Sequence, residues 1–265
     1  MRDPVGSTAA AERGTPGAVR SIQRAEEIDS MPLEGLSDHF GPFLPHFVRE
    51  ALRCGGRVRV AEADGVTCGL YLDHPADHEA SIFTHDPALA AFLAATGGAA
   101  SVFAEFELAP GAETYTVYRR LLATREDGHR FRHAVRIARP ADRPGIVELL
   151  RSVYGHVDQG WIDTVPEPAE LAFVVDGPEG LAGVAWANRI GTAGRLHSLT
   201  VRPRHRRTGI GSDLLFARLS WLAAAGARSA ISEISCRSPG SIAIAEAGGM
   251  HPVGRIFRSA RPSSA

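Results

Sequence analysis

Lysine is absent from all 265 residues, so the 29 basic side chains are all arginines. That absence removes the P-loop, whose Gly-Lys-Ser/Thr ending needs a lysine on the phosphates. The three-glycine spacing of a dinucleotide fingerprint is missing too. No apolar run reaches the roughly 18 residues a membrane span requires. Met1 to Arg20 lack the apolar core of a signal peptide, and this small, polar, Gly/Ala-rich stretch is expected to be disordered. Cysteine is scarce. Cys54, Cys68 and Cys236 form an odd set without metal-ligand spacing, which suits a reduced cytoplasm and predicts no metal site. Each is expected to be a small buried apolar residue rather than a nucleophile.

What remains is a globular composition, 44% hydrophobic and 22% charged, long enough for one large domain or two small ones. The net charge of −1 hides an asymmetry. Residues 1–130 hold 12 Arg against 19 Asp/Glu, and residues 131–265 hold 17 Arg against 11 Asp/Glu. A basic C-terminal half would draw in a polyanionic ligand, although simple complementarity between two packed halves accounts for part of the same pattern.

The positive half carries the stretch Arg206-Arg207-Thr208-Gly209-Ile210-Gly211 between a strand-like run, residues 195–201, and an apolar helical run, residues 212–225. A strand, a Gly-rich turn and a helix N-terminus in that order aim free backbone N–H groups and the positive end of the helix dipole at one spot. Gly209 and Gly211 lack a Cβ, so an anion can approach the main chain. Arg206 and Arg207 add charge where a diphosphate would lie. The plain alternative is an ordinary strand-to-helix turn.

This segment, with Leu199-Thr-Val201 before it, Pro203 within it and the Arg-x-x-Gly-x-Gly spacing, resembles the GNAT superfamily of acyl-CoA-dependent N-acyltransferases. The resemblance covers about residues 131–259 and implies an α/β (α+β mixed-sheet) GNAT-like fold with acetyl-CoA as co-substrate. It assigns Leu199, Thr200 and Val201 to acyl and pantetheine contacts, and Arg206, Arg207, Thr208, Gly209, Ile210, Gly211 and Ser212 to the pyrophosphate. Strand periodicity and turn signals agree with that plan: strands at 132–138, 171–175, 181–187, 195–201, 230–236 and 252–258, and helices at 143–154, 212–225 and 240–247. Residues 161–170, broken by Pro166 and Pro168, read as a short helix or loop. The family usually adds one further strand, and this chain stops short of it.

The N-terminal half reads as a worn copy, with strands at 57–61, 69–72 and 79–84, a helix at 87–95, and strands at 101–107 and 114–122. Ala80-Ser-Ile-Phe-Thr-His-Asp-Pro87 parallels Leu196-His-Ser-Leu-Thr-Val-Arg-Pro203, but no Gly- and Arg-rich loop follows Pro87. The expected organisation is a disordered segment 1–20, a degenerate GNAT-like or unrelated α+β domain at 21–128, and an acetyltransferase domain at 131–265. The two would meet near residues 126–131.

For the chemistry, Glu233 sits mid-strand among apolar neighbours, an unusual place for a carboxylate. Family members that acetylate protein N-termini carry a glutamate there, which implies a general base. The alternative is an edge carboxylate paired with an arginine such as Arg237. His197 is a second base candidate. By alternation it faces with Leu199 and Val201, as a satisfied half-buried histidine would. The family's Asn and Tyr positions fall here on Ser238 and Ala245, so the acid for the departing thiolate is missing. Tyr154, His156, Ser238 and Ser241 are possible replacements. Tyr154, His156, Asp158 and Trp161 form a polar-aromatic cluster suited to a cationic amine, or only a decorated surface loop.

The sequence therefore points to an N-acetyltransferase acting on a primary amine, either a small molecule or a protein, by direct attack on acetyl-CoA. A homodimer is one assembly it allows, and no nucleic-acid or membrane partner is expected. A second reading is a non-catalytic acyl-CoA-binding regulator, favoured by Ala245. A third is nucleic-acid binding through Arg202 to Arg207, weakened by the lack of aromatic stacking residues.

Overall fold

The computed structural model describes residues 18–74, 78–123, 128–155 and 170–260. In chain order these form β1 Ala18–Ile22, α1 Leu44–Arg53, β2 Val58–Ala63, β3 Val66–His74, β4 Glu79–Phe83, α2 Pro87–Gly97, β5 Ser101–Ala104 and β6 Glu113–Leu121. The second half continues with β7 Val135–Ile137, α3 Arg143–Tyr154, β8 Glu170–Gly177, β9 Gly180–Ile190, β10 Ala193–Val201, α4 Ile210–Ala224, β11 Ser229–Ser235, α5 Pro239–Ala247 and β12 His251–Ala260. This is the mixed α/β class expected from the sequence. No described helix is long and apolar enough to cross a membrane.

All twelve strands join one sheet in the order β1-β2-β3-β4-β5-β12-β6-β11-β10-β9-β8-β7. The parallel pairs among them are β4 with β5 and β10 with β11. Each pair is joined by one crossover helix, α2 or α4, as a parallel connection requires. The two halves thus repeat one plan: four antiparallel strands, a helix, and a parallel fifth strand.

The sixth place in each half is filled by the other half. β6 pairs antiparallel with the whole of β11, Leu121 to Tyr115 facing Ser229 to Ser235. β12 pairs antiparallel with β5 and with β6. The strand beside β11, between it and β12, comes from residues 113–121.

The core follows the faces of this sheet. α2 buries Leu89, Ala90, Leu93 and Ala94, at helical spacing, on Tyr71, Ile82 and Val102. α4 buries Leu214, Leu215, Leu219 and Leu222 on Leu196, Ala230 and Ile234. A third cluster joins the halves. Leu33, Phe40, Phe43 and Leu44 pack with Val60 and Leu72 of the first half, Val117 of β6, and Ile231 and Ile256 of the second. α3 closes a fourth around Trp186.

Some expectations are corrected. Residues 18–20 belong to β1 rather than to a disordered terminus, because Ala18 to Ile22 pair with Glu62 to Val58. The strand expected at 132–138 shrinks to Val135–Ile137, since the backbone N–H groups of Arg132 and His133 donate to the Asp213 carboxylate instead of to a neighbouring strand. The cysteines are not the buried residues expected: Cys54 and Cys236 are exposed and Cys68 is half-buried. The segment 161–169 and the residues His156, Asp158 and Trp161 lie outside the described residues.

Candidate active site

β10 and β11 are hydrogen-bonded over only three residue pairs, Ala193 to Arg195 against Ser229 to Ile231. Beyond Arg195 the strands part while both continue, to Val201 and Ser235. A bulge in β10 widens the opening. Its register with β9 shifts between His197 and Thr200, and Ser198 takes φ 52°. The extra residue inverts the expected alternation. His197 pairs with Trp186 and Thr200 with Val184, both on the α3 face, whereas Leu199 and Val201 pack on the α4 cluster. His197 therefore does not share a face with Leu199 and Val201.

Beside the bulge, Arg218 of α4 is buried among backbone carbonyls. Its guanidinium donates to the carbonyls of Leu214, Trp186 and His197 at 3.0, 3.0 and 3.4 Å, at 3% exposure. Burial pushes its pKa down to about 9.

The gap holds a cavity of about 210 Å³. Five sequence candidates line it together: His197 and Leu199 from β10, Glu233 from β11, Ser238 just before α5 and Ser241 within it. Tyr154 reaches it from the end of α3, and its hydroxyl lies 3.1 Å from Thr200 Oγ1. Glu233 is paired, but not with Arg237. Arg195 Nε lies 3.0 and 3.3 Å from its two carboxylate oxygens, and the Arg195 guanidinium stacks 4.9 Å above Phe47 of α1. His197 Nδ1 contacts Ser198 Oγ at 3.2 Å, and its ring stacks on Trp186. Ala245 lines the cavity at 3% exposure, so the α5 position where the resemblance looks for a tyrosine holds only a methyl group.

One lining residue was invisible to sequence reasoning. Tyr115 of β6 stands opposite Ser235 and faces the cavity from the N-terminal half. Only the strand exchange brings it there, and no local pattern signals that.

At the mouth of the gap, α4 begins at Ile210 behind Gly209, which takes φ 104° and gives the helix no side-chain cap. The first N–H groups of such a helix have no intrahelical partner. Gly211 has a different reason from the one expected. A Cβ there would meet Ile244 Cδ1 at 2.6 Å, so this glycine lets α5 pack on α4. Thr208 Oγ1 donates to the His205 carbonyl, tightening the turn, and Ser212 follows in the first helical turn.

The arginines are not equivalent. Arg202 pairs with Glu148 and Arg204 with Glu179, while Arg206 Nε donates to the Val201 carbonyl. Arg207 is exposed and makes no ion pair among the described residues. Arg132, from the segment linking the halves, lies across the same turn. A Cβ on Gly209 would come 3.1 Å from Arg132 Cδ. A buried aspartate, Asp213, holds that segment down. His129 Nε2 and His133 Nδ1 lie 2.7 and 2.8 Å from its oxygens, and the N–H groups of Arg132 and His133 donate to it as well. Burial works to raise the Asp213 pKa, but these hydrogen bonds outweigh it and hold the carboxyl below its usual range.

Comparison with known proteins agrees with this geometry. Residues 142–247 match the family model of the acetyltransferase (GNAT) family. Among solved structures, a GCN5-related N-acetyltransferase from Sphaerobacter thermophilus superposes with a TM-score of 0.62 at 16% identity, over 95% of this chain and 98% of that one. A tandem GNAT protein from the clavulanic acid biosynthesis pathway gives 0.59 at 14% identity, over 94% and 100%. A GNAT-family acetyltransferase from Colwellia psychrerythraea gives 0.60 at 12%, over 92% and 100%. At these identities the likeness establishes the fold, and it extends through both halves. Comparison with curated proteins gives no match.

Proposed function

We propose that this protein transfers the acetyl group of acetyl-CoA to a primary amine by direct attack, with no acyl-enzyme. Residues 131–265 carry the chemistry, and residues 21–128 are a degenerate copy of the same unit. The observation that carries this reading is the uncapped N-terminus of α4 at the mouth of the β10–β11 gap. A diphosphate would take the N–H groups of residues 209–212 with Arg207 beside them. The pantetheine arm would run into the gap along Leu199 to Val201. A backbone N–H at Val201 aimed at the thioester carbonyl would stabilise the developing oxyanion.

Glu233 lines the cavity next to where the amine must attack, and we assign it as the base that takes the ammonium proton, directly or through water. His197 is the second candidate for that role. Tyr154, tied to Thr200, is assigned to the acceptor or thioester side of the gap. Ser238 and Ser241 supply hydroxyls along the donor's path. The three cysteines, all free thiols, suit a cytoplasmic setting.

One observation favours a second reading, a non-catalytic acyl-CoA-binding regulator: the buried Ala245 where an acid would stand. The nucleic-acid reading loses ground, because Arg202 and Arg204 are already neutralised by Glu148 and Glu179.

Calorimetric titration of acetyl-CoA into wild type and Gly209→Glu tests the proposal. Micromolar binding, about −8 kcal/mol, is expected for wild type, with none for the variant. The variant both strains a φ of 104° and places a carboxylate on the helix N-terminus. No binding by wild type would reduce the loop to a turn.

A further inference from the structure

The segment that joins the halves, residues 128–133, forms neither strand nor helix, yet it is pinned along one side of α4. Asp213, in the first turn of that helix and 1% exposed, is the anchor. An ionised carboxylate only accepts, so His129 Nε2 and His133 Nδ1 both present N–H groups to it, beside the N–H groups of Arg132 and His133. One turn further along α4, Phe216 stacks on the His129 ring with centroids 4.1 Å apart.

This aspartate is used differently from an ordinary cap. Among the described residues Asp213 accepts only from the joining segment, so the first N–H groups of α4 stay uncapped. Its charge would oppose a diphosphate arriving one turn away. The segment answers with four basic side chains in five residues, His129, Arg130, Arg132 and His133. Seating also fixes where Arg132 goes. Its Nε and Nη1 lie 3.8 Å from the point a Gly209 Cβ would occupy, over the turn that opens α4. Arg132 is exposed and makes no ion pair among the described residues, and it precedes the stretch 142–247 that matches the family model.

We propose that residues 128–133 are a strap that closes on bound coenzyme A, with Arg132 gripping the diphosphate and Asp213 as the positioning residue that seats the strap. This rests on the acyl-CoA reading of the β10–β11 gap above. The strap follows β6 of the first half and precedes β7 of the second. Coupling between sites is reciprocal, so a strap that holds the coenzyme is itself held more firmly when the coenzyme is bound. Loading the site then tightens the connection between the halves.

Calorimetry with coenzyme A on wild type, Arg132→Ala, Asp213→Asn and the double variant gives the first test. Each single change should weaken binding about tenfold. The double variant should also lose about tenfold, because Asp213 acts through Arg132, whereas independent contributions would multiply to about a hundredfold. Dephospho-coenzyme A, which keeps the diphosphate, should show the same losses. A lower Tm for Asp213→Asn with unchanged affinity would make the strap a purely structural tie and overturn the proposal, as would multiplied losses in the double variant.

The second measurement needs no aspartate variant. The chain has no lysine, so trypsin cuts only at arginines, and Arg130 and Arg132 are both exposed. Saturating coenzyme A should slow cleavage in the strap about tenfold or more, with the exposed Arg24 of the N-terminal half as reference. In Arg132→Ala, cleavage at Arg130 should no longer respond. Coenzyme A that binds wild type without protecting the strap would overturn this proposal and leave the acyltransferase reading intact. Failure of wild type to bind coenzyme A would overturn both.

Discussion

The two strand–helix–strand units, β4-α2-β5 and β10-α4-β11, share a parallel pairing and a crossover helix, yet their helices start differently. α2 begins behind Asp86, whose carboxylate accepts from the N–H groups of Ala88 and Leu89 at 2.8 and 3.3 Å. α4 begins behind Gly209 and has no side-chain cap. In the first unit, then, a carboxylate of the chain itself occupies the place an external anion would take. In the second that place is left open, at a cost in local stability that a bound phosphate would offset. The strand that follows shows less divergence. The parallel register places Ser101 and Ser229 four residues before Glu105 and Glu233 respectively. Glu105 accepts a hydrogen bond from Ser37 at 2.6 Å, whereas Glu233 pairs with Arg195 on the cavity wall. The two units thus differ most at the helix cap, while a carboxylate stands at the same place on the following strand in both, with a structural partner in each.

Making the second unit resemble the first should have the largest effect. Gly209→Glu should remove acetyl-CoA binding altogether, as read by calorimetry. Next comes the glutamate pair. Glu233→Gln should lower kcat about 100-fold with acetyl-CoA affinity unchanged, while Glu105→Gln should leave turnover alone, both measured by thiol release with the amine returned by an acceptor screen. Equal losses in both variants would mean that the carboxylates serve the fold. Smaller again, Arg132→Ala should weaken acetyl-CoA about tenfold, because its guanidinium lies over the Gly209 turn without an ion-pair partner among the described residues. Arg204→Ala, already paired with Glu179, should not change affinity. The least effect on function belongs to Asp86→Ala. It should cost about 1 kcal/mol of stability, visible as a lower Tm, and should leave acetyl-CoA binding unaltered.

Much of the fold was legible because it is written locally. The alternation in 57–61 and 69–72, the Asp86-Pro87 start of α2 and the glycine turn before α4 each predict their element from a few neighbouring residues. Residues 23–43 escaped because their buried anchors, Leu33, Leu36, Phe40 and Phe43, sit in or beside short 3-10 helices with no sustained period, whereas α1 went unread although Leu44, Val48 and Ala51 recur at helical spacing. In the candidate site, His197, Leu199, Glu233 and Ser238 were all named from the sequence, and they do meet in one cavity. Their orientation was harder to read. One bulged residue, Ser198, reverses which side chains share a face, and Glu233 finds Arg195 on the neighbouring parallel strand rather than Arg237 four residues on. Tyr115 and Arg132 could not be found, since each owes its place to a pairing across the chain and not to anything in its own vicinity.

The exchange of β6 and β12 also bears on how the protein is made. Leu108, just after β5, is hydrogen-bonded to Ser259 of β12, 151 residues later. A ribosome that has released the first half therefore exposes a β5 edge whose partner has not yet been translated, and β6 waits with both flanks bare, one for β11 and one for β12. Bare strand edges invite pairing with the wrong chain, and contacts this distant in sequence close slowly. The two halves are consequently coupled in biogenesis as well as in architecture. Each remains an unfinished sheet until the last strand of the second half emerges, and that strand completes both.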